Sequence, residues 1–317
     1  MYVKKIDKRN LFIDNKLLAE DIGTFIFDGK NIVYDNQKPD ILIYDLLNKK
    51  MELLLPEYRL GEILFSNYRT HVGNRINQIR ETVFYDYKER KAIFINSPLP
   101  THEVNGNLLF EQPTNTTLKS INLETGTYNW EVDLSVYISS VLGVFGNQLW
   151  IYTGTDELMS LALDTGQVLQ RIRSNDLHPA VSNANLVANA VHFEAIHGRV
   201  TFLKDRDYLE FDLATCQVIR QKSFDTGNPY TDWAFSVSSL DDDYCYFVGN
   251  QGRDAGFAQW VGVLNRKTLE VEWSEHLGKQ NQRDFWALTK APISDGNKLY
   301  IHDSEGTLHI FEKEENA

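Results

Sequence analysis

One short pattern recurs along the chain and restricts what it can fold into. Its clearest copy is Ser120-Ile121-Asn122-Leu123-Glu124-Thr125-Gly126, followed by Trp130. Residues 160–168 (SLALDTGQV), 210–218 (EFDLATCQV) and 262–273 (GVLNRKTLEVEW) repeat it, and residues 43–50 and 84–91 carry weaker copies. Aligned on the polar anchor, the copies fall at Asp45, Asp86, Asn122, Ala162, Asp212 and Asn265, spaced by 41, 36, 40, 50 and 53 residues. A second pattern precedes each copy: a tight turn and then an alternating apolar run. It appears at Asp28-Gly29, Asn105-Gly106, Gly146-Asn147, His197-Gly198 and Asp295-Gly296, with Asp241-Asp242-Asp243 in the same place before Tyr244. Asn-Gly and Asp-Gly tolerate positive φ and so close hairpins.

Each unit therefore reads as strand, tight turn, strand, variable loop, strand, polar turn, strand. A period of about 40–50 residues made of short strands is the mark of a propeller blade. The spacing predicts an all-β chain, a seven-bladed β-propeller of four-stranded antiparallel blades. The blades span 22–57, 58–98, 99–134, 135–176, 177–226, 227–278 and 279–313. The seventh stops after its third strand, and the two apolar stretches within residues 2–18 are expected to supply its outer strand and close the ring. Closure would also remove an open sheet edge. Eight blades, one of them degenerate, is the alternative. No Pro- or Ser-rich linker divides the chain, so it reads as one domain, 1–317.

Composition agrees. Aromatic residues make up 12% of the 317, which favours strands. The formal charge is −12, which argues against a nucleic-acid backbone or an anionic membrane as partner. The N-terminal residues are charged where a secretion signal would be apolar, and no apolar run approaches the roughly 18 residues of a membrane span. The expected location is the cytoplasm. Cys216 and Cys245 form neither a disulfide framework nor a zinc pattern and read as reduced, buried thiols.

The copies ending in Asp/Glu-Thr-Gly resemble the quinoprotein-type propeller repeat, in which such a turn precedes a Trp. Glu124-Thr125-Gly126 with Trp130 matches it well. Asp164-Thr165-Gly166 keeps the turn but has Gln170 for the Trp; Lys267-Thr268 with Trp273 keeps the Trp but has Leu269 for the Gly. The first two units hardly match. The resemblance implies a propeller of a superfamily that includes quinone- and calcium-dependent dehydrogenases and non-enzymatic scaffolds. The alcohol dehydrogenases carry adjacent cysteines over the cofactor, which this chain lacks, so the scaffold branch is expected, with no cofactor.

Two expected first strands begin alike, Thr231-Asp232-Trp233 and Asp284-Phe285-Trp286. An Asp beside an aromatic at a channel mouth suits a sugar or a cationic side chain. A repeat-encoded structural pair, with Trp packing and Asp capping a turn, is the competing reading. The polar loop 250–257 adds Arg253 and Asp254, and Arg283 lies next to Asp284. Asp232, Trp233, Arg253, Asp254, Arg283, Asp284 and Trp286 are thus the candidate binding rim, with Arg253 suited to clamp a carboxylate. The eight histidines form no HxH or HExxH pair, and Asp205-Arg206-Asp207 and Asp241-Asp242-Asp243 fit hairpin turns better than cation loops, so no metal is expected. No nucleophile elbow exists. The leading expectation is a non-catalytic binder of a basic protein surface, a bacterial toxin-neutralising (immunity) protein being one concrete form. The rival is an enzyme with a funnel site (a glycosidase, lyase or quinone-dependent dehydrogenase) using Asp232 and Asp284 as paired carboxylates.

Overall fold

The computed structural model describes residues 108–122, 124–155, 157–173, 191–228, 230–252, 258–278, 288, 290–304 and 307–313. Before these it describes twelve shorter segments: 3–7, 10–13, 16–19, 22–27, 31–36, 40–45, 47–56, 59–60, 69–73, 82–86, 91–95 and 101–105. Every regular element among them is a strand. The strands form eight antiparallel sheets, six of four strands and two of three.

The contacts group the chain into two units, residues 1–135 with 164–166, and residues 136–163 with 167–317. In the first unit, Val3–Asp7, Asn10–Ile13 and Lys16–Ala19 form the first sheet. The second runs from Ile22–Phe27 to Lys50–Pro56, the third from Arg59–Leu60 to Lys91–Ile95, and the fourth from Thr101–Asn105 to Thr127–Asp133. In the second unit, the fifth sheet comprises Ile138–Phe145, Gln148–Thr153, Glu157–Ala162 and Val168–Arg173. The sixth comprises Val191–Glu194, Arg199–Lys204, Asp207–Asp212 and Gln217–Ser223. The seventh comprises Trp233–Leu240, Tyr244–Gln251, Trp260–Asn265 and Glu270–His276. The eighth comprises Ile293–Ser294, Lys298–His302 and Leu308–Glu312.

The seven expected units each contain one sheet, but residues 2–18 behave differently from the expectation. The strands Val3–Asp7, Asn10–Ile13 and Lys16–Ala19 pair with one another as a separate three-stranded sheet, which makes eight sheets among the described residues. Only two residues separate Asp7 from Asn10 and Ile13 from Lys16, and connections that short favour local antiparallel pairing.

The anchor residues explain why the pattern recurs. Asp45 Oδ1 accepts the N–H of Leu47 and Asn48 at 2.8 and 2.9 Å, and Asn122 Oδ1 that of Glu124 at 2.8 Å. Asp212 Oδ1 accepts that of Thr215 at 2.7 Å, and Asn265 Oδ1 that of Lys267 at 2.8 Å. Side chain replaces backbone as the turn's acceptor. Four residues after Asp45, Asn122, Ala162, Asp212 and Asn265 the chain turns left-handed: Lys49, Gly126, Gly166, Cys216 and Leu269 all have φ between 53° and 71°. The Thr-Gly of the clearest copies is therefore a conformational requirement, met at higher cost where Gly is replaced.

Alternation sets the core. In the sixth sheet Val191, Val200, Phe202, Leu209 and Phe211 face one way and pack on Trp150, Tyr152 and Leu158 of the fifth. Leu203 and Tyr208 face the other way and join Trp233, Phe235, Phe247 and Leu264 of the seventh.

Candidate functional site

The loops that lead into first strands carry the expected rim, and the second unit shows how they are built. Asp232 is 3% exposed. Its Oδ1 accepts the backbone N–H of Thr226 at 2.9 Å and the Thr226 hydroxyl at 2.7 Å, and Arg206 Nη1 lies 3.4 Å from Oδ2. The Thr226 bonds, side chain first, and then Arg206 hold this carboxyl below the usual range. Arg206 also pairs with Asp225 at 3.0 Å. Trp233 is buried, its ring 5.2 Å from Phe247 and 5.6 Å from Trp260. The pair therefore has the geometry of a capped turn and a packed indole, and one of the two nominated carboxylates is engaged within the chain. Arg253, Asp254, Arg283, Asp284 and Trp286 lie outside the described residues.

Two tyrosines face solvent on these loops. Tyr230 is 72% exposed and Tyr137, just before the fifth sheet, is 52% exposed. The loop under Tyr230 is fixed by a chain of short-range bonds, Gly227 to Asp225, Asn228 to Thr226 and Tyr230 to Asn228. The Tyr137 carbonyl accepts the Gly154 N–H at 2.7 Å, and a Cβ at Gly154 would stand 2.5 Å from the Tyr137 ring. Both loops precede a first strand, so both stand at the end of the sheets where those strands begin.

A second feature was not read from the sequence. Arg266, 3% exposed, leaves the turn after Trp260–Asn265 and enters the sixth sheet. Nη2 lies 2.7 Å from Glu194 Oε1 and Nη1 2.9 Å from Oε2, a bidentate pair. Nη2 also reaches Glu210 at 3.0 Å and Thr201 at 3.3 Å, and Nη1 the Asp241 carbonyl at 2.6 Å. Tyr208 donates to Glu210, and Arg220 donates to the Arg266 carbonyl. Burial works against the guanidinium charge, but Glu194 and Tyr208 outweigh it and raise its pKa. Burial raises the Tyr208 phenol and pushes the neighbouring Cys245 thiol up to about 12, so that cysteine stays a thiol. The cluster is an ionic clasp between two sheets. The available signal was Glu210, a charge at an inward position where Ser120 and Ser160 stand in other copies.

The first strands of the fifth, sixth and seventh sheets line a cavity of about 530 Å³ formed by residues 140–142, 191–193 and 238–240. In it His192 Nε2 lies 2.8 Å from Ser238 Oγ. Burial pushes the His192 imidazole down to about 4, with Glu194 opposing and Arg266 adding to the shift, so the ring is neutral at pH 7. Asp241 Oδ1 accepts the N–H of Asp243 and Tyr244, so the acidic triplet is a capped turn. Among the described residues no group of three or more His, Cys, Asp or Glu is placed to hold a metal ion, and no helix is long and apolar enough to cross a membrane.

The arrangement occurs in solved structures. The computationally designed protein Ika8 aligns over 98% of this chain and 95% of its own, with TM-score 0.60 and 13% identity. BamB from Moraxella catarrhalis covers 91% and 84% with TM-score 0.58 and 13% identity. The C-terminal WD40 domain of Sif2 covers 93% and 82% with TM-score 0.58 and 10% identity. At these identities the likeness shows the fold alone: the chain has a β-propeller fold, and most of its described sheets are four-stranded and antiparallel. No protein-family model and no curated protein sequence matches it.

Proposed function

We propose that the protein is a non-catalytic interaction scaffold that holds a basic protein surface on the loop face carrying Tyr137 and Tyr230. The observation that carries this reading is the pair of exposed rings on loops already fixed by internal hydrogen bonds. Aromatic anchors dominate interface energies, and a preorganised loop loses little entropy on binding. The charge of −12 supports steering toward a basic partner. A bacterial toxin-neutralising protein is the concrete form. Cytoplasmic residence belongs to the same reading and is supported by the two free thiols. So do the outer rim residues Arg253, Asp254, Arg283, Asp284 and Trp286, kinship with the quinoprotein-type repeat, and a single closed ring of seven or eight blades.

Affinity capture from the native cell, followed by binding kinetics with the captured protein, tests the proposal. Tyr137→Ala with Tyr230→Ala is expected to weaken binding at least about tenfold while the chain still melts cooperatively. Association is expected to slow as salt rises. Unchanged capture by the double variant would overturn the loop-face assignment, and salt-independent association would overturn the basic partner.

A further inference from the structure

A groove of about 730 Å³ runs between the seventh and eighth sheets and takes no part in the loop face. Its walls are aromatic: Tyr244, Tyr246, Trp273 and Phe311. Trp273 and Phe311 lie 5.0 Å apart with planes at 60°, and Tyr244 and Tyr246 lie 6.3 Å apart at 45°. Among the described residues the Trp273 indole N–H has no acceptor, although the ring is only partly buried. The floor strands, Tyr244–Gln251 and Trp260–Asn265, are paired on both sides within their own sheet. These two strands have no backbone donors to offer, so on this floor a ligand meets side chains, the rings foremost.

The charges at the lips are unequal. On the seventh sheet Glu272 and Glu275 are exposed; Glu272 accepts from Asn265 at 2.6 Å, and Glu275 has no ion pair among the described residues. On the eighth, Lys298 is 3.6 Å from Glu312, and the Lys313 ammonium sits 5.5 Å over the Tyr244 ring. One lip therefore carries two negative charges, and on the other Lys298 is paired while Lys313 is held over the Tyr244 ring.

We infer that this groove binds a proline-rich peptide segment that carries Arg or Lys at one end. A polyproline II segment needs no backbone donors from its receptor. It packs its pyrrolidine rings against aromatic side chains and presents free carbonyls to an indole N–H. The volume lies within the roughly 300–1,000 Å³ of ligand sites. The basic end pairs with Glu272 and Glu275. The inference does not rest on the loop face, since the two surfaces share no residue.

The test is fluorescence polarisation with the full chain and a fluorescein-labelled peptide of two arginines followed by eight prolines. An otherwise identical peptide with alanines for the prolines is the control. Saturable binding of the proline peptide is expected, with the alanine peptide at least about tenfold weaker. Trp273→Phe, which keeps a ring and removes the N–H, is expected to weaken binding about threefold or more. Glu272→Gln with Glu275→Gln, both exposed and harmless to folding, is expected to weaken binding and flatten its salt dependence. Tyr230→Ala is expected to leave it unchanged. No saturable binding, equal binding of the alanine peptide, or indifference to both the Trp273 and the glutamate variants would overturn the inference. A concentration-dependent dimer lost on Trp273→Phe would also overturn it, by assigning the groove to a second copy.

Discussion

Toward the fifth sheet the sixth presents Val200, Phe202, Leu209 and Phe211; toward the seventh it presents Glu194, Thr201, Tyr208 and Glu210. The alternation is the same on both faces, and what differs is the means of removing each face from water. Apolar packing is non-directional and tolerates small shifts. The ionic face needs each carboxylate oxygen to meet a donor, because an unpaired buried charge is far costlier than a lost contact. The seventh sheet divides accordingly, with Trp233, Phe235 and Phe247 packed together and Arg266 inserted among the acids. One sheet can thus have an interface that only needs to be filled and another that must be fitted atom by atom.

The largest expected effect breaks the ionic side. Arg266→Met leaves Glu194 without its cation and Glu210 with only the distant Arg220, 3.9 Å away, and should cost about 3–5 kcal/mol by chemical denaturation. Replacing Arg266, Glu194 and Glu210 by Met, Leu and Leu should recover most of that loss, because no charge then stays buried. Trp150→Ala on the apolar side should cost a similar ~3–5 kcal/mol, but through a cavity that no second charge change repairs. If the triple variant is no more stable than Arg266→Met, the contrast between the interfaces fails.

Acid should weaken the ionic side next. His192 titrates at about 4 in the fold against 6.5 when free, so the unfolded chain takes up its proton first as pH falls. Its contribution is fully present above pH 6.5 and is lost as pH falls toward 4. Between pH 7 and pH 5 the loss is about 2 kcal/mol. Denaturation at the two pH values should show this for the native chain, and His192→Asn should reduce the difference by about that amount.

The smallest effect concerns two left-handed turn residues. Cys216 packs on the apolar side and Leu269, 7% exposed, joins the core on the other. Glycine relieves about 1–2 kcal/mol of backbone strain at either position. Cys216→Gly, which gives up a half-buried thiol and its weak bonds to Gln170 and the Leu213 carbonyl, should gain about 1 kcal/mol. Leu269→Gly also loses a buried side chain worth about 2–3 kcal/mol, so it should be net destabilising. Equal melting shifts for the two would show that the turn, and not the interface beneath it, sets the outcome.

The positions of sheets two to eight were legible because each rests on signals within a few residues. The Asp45, Asn122, Asp212 and Asn265 side chains bond to the backbone two or three residues on. The destiny of residues 2–18 was not legible, since the same apolar stretches suit a shared strand or a sheet of their own. The rim was read in part. Asp232 and Trp233 are adjacent to an exposed loop, but depth along the strand decides exposure, and it leaves Tyr230 outside and Trp233 inside.

The sequence by itself determined the strand–turn order, the left-handed turn positions and the alternation along strands such as Gln217–Ser223, because hydrogen bonds and φ preferences act over two to four residues. Only the tertiary structure decided which face meets which. Arg266 and Glu194 are 72 residues apart, and their pairing depends on two sheets closing tightly enough to exclude water. Glu210 in an otherwise apolar strand signals a buried charge, but its partner is fixed by packing, since desolvation is compensated only by the donor that geometry brings within reach.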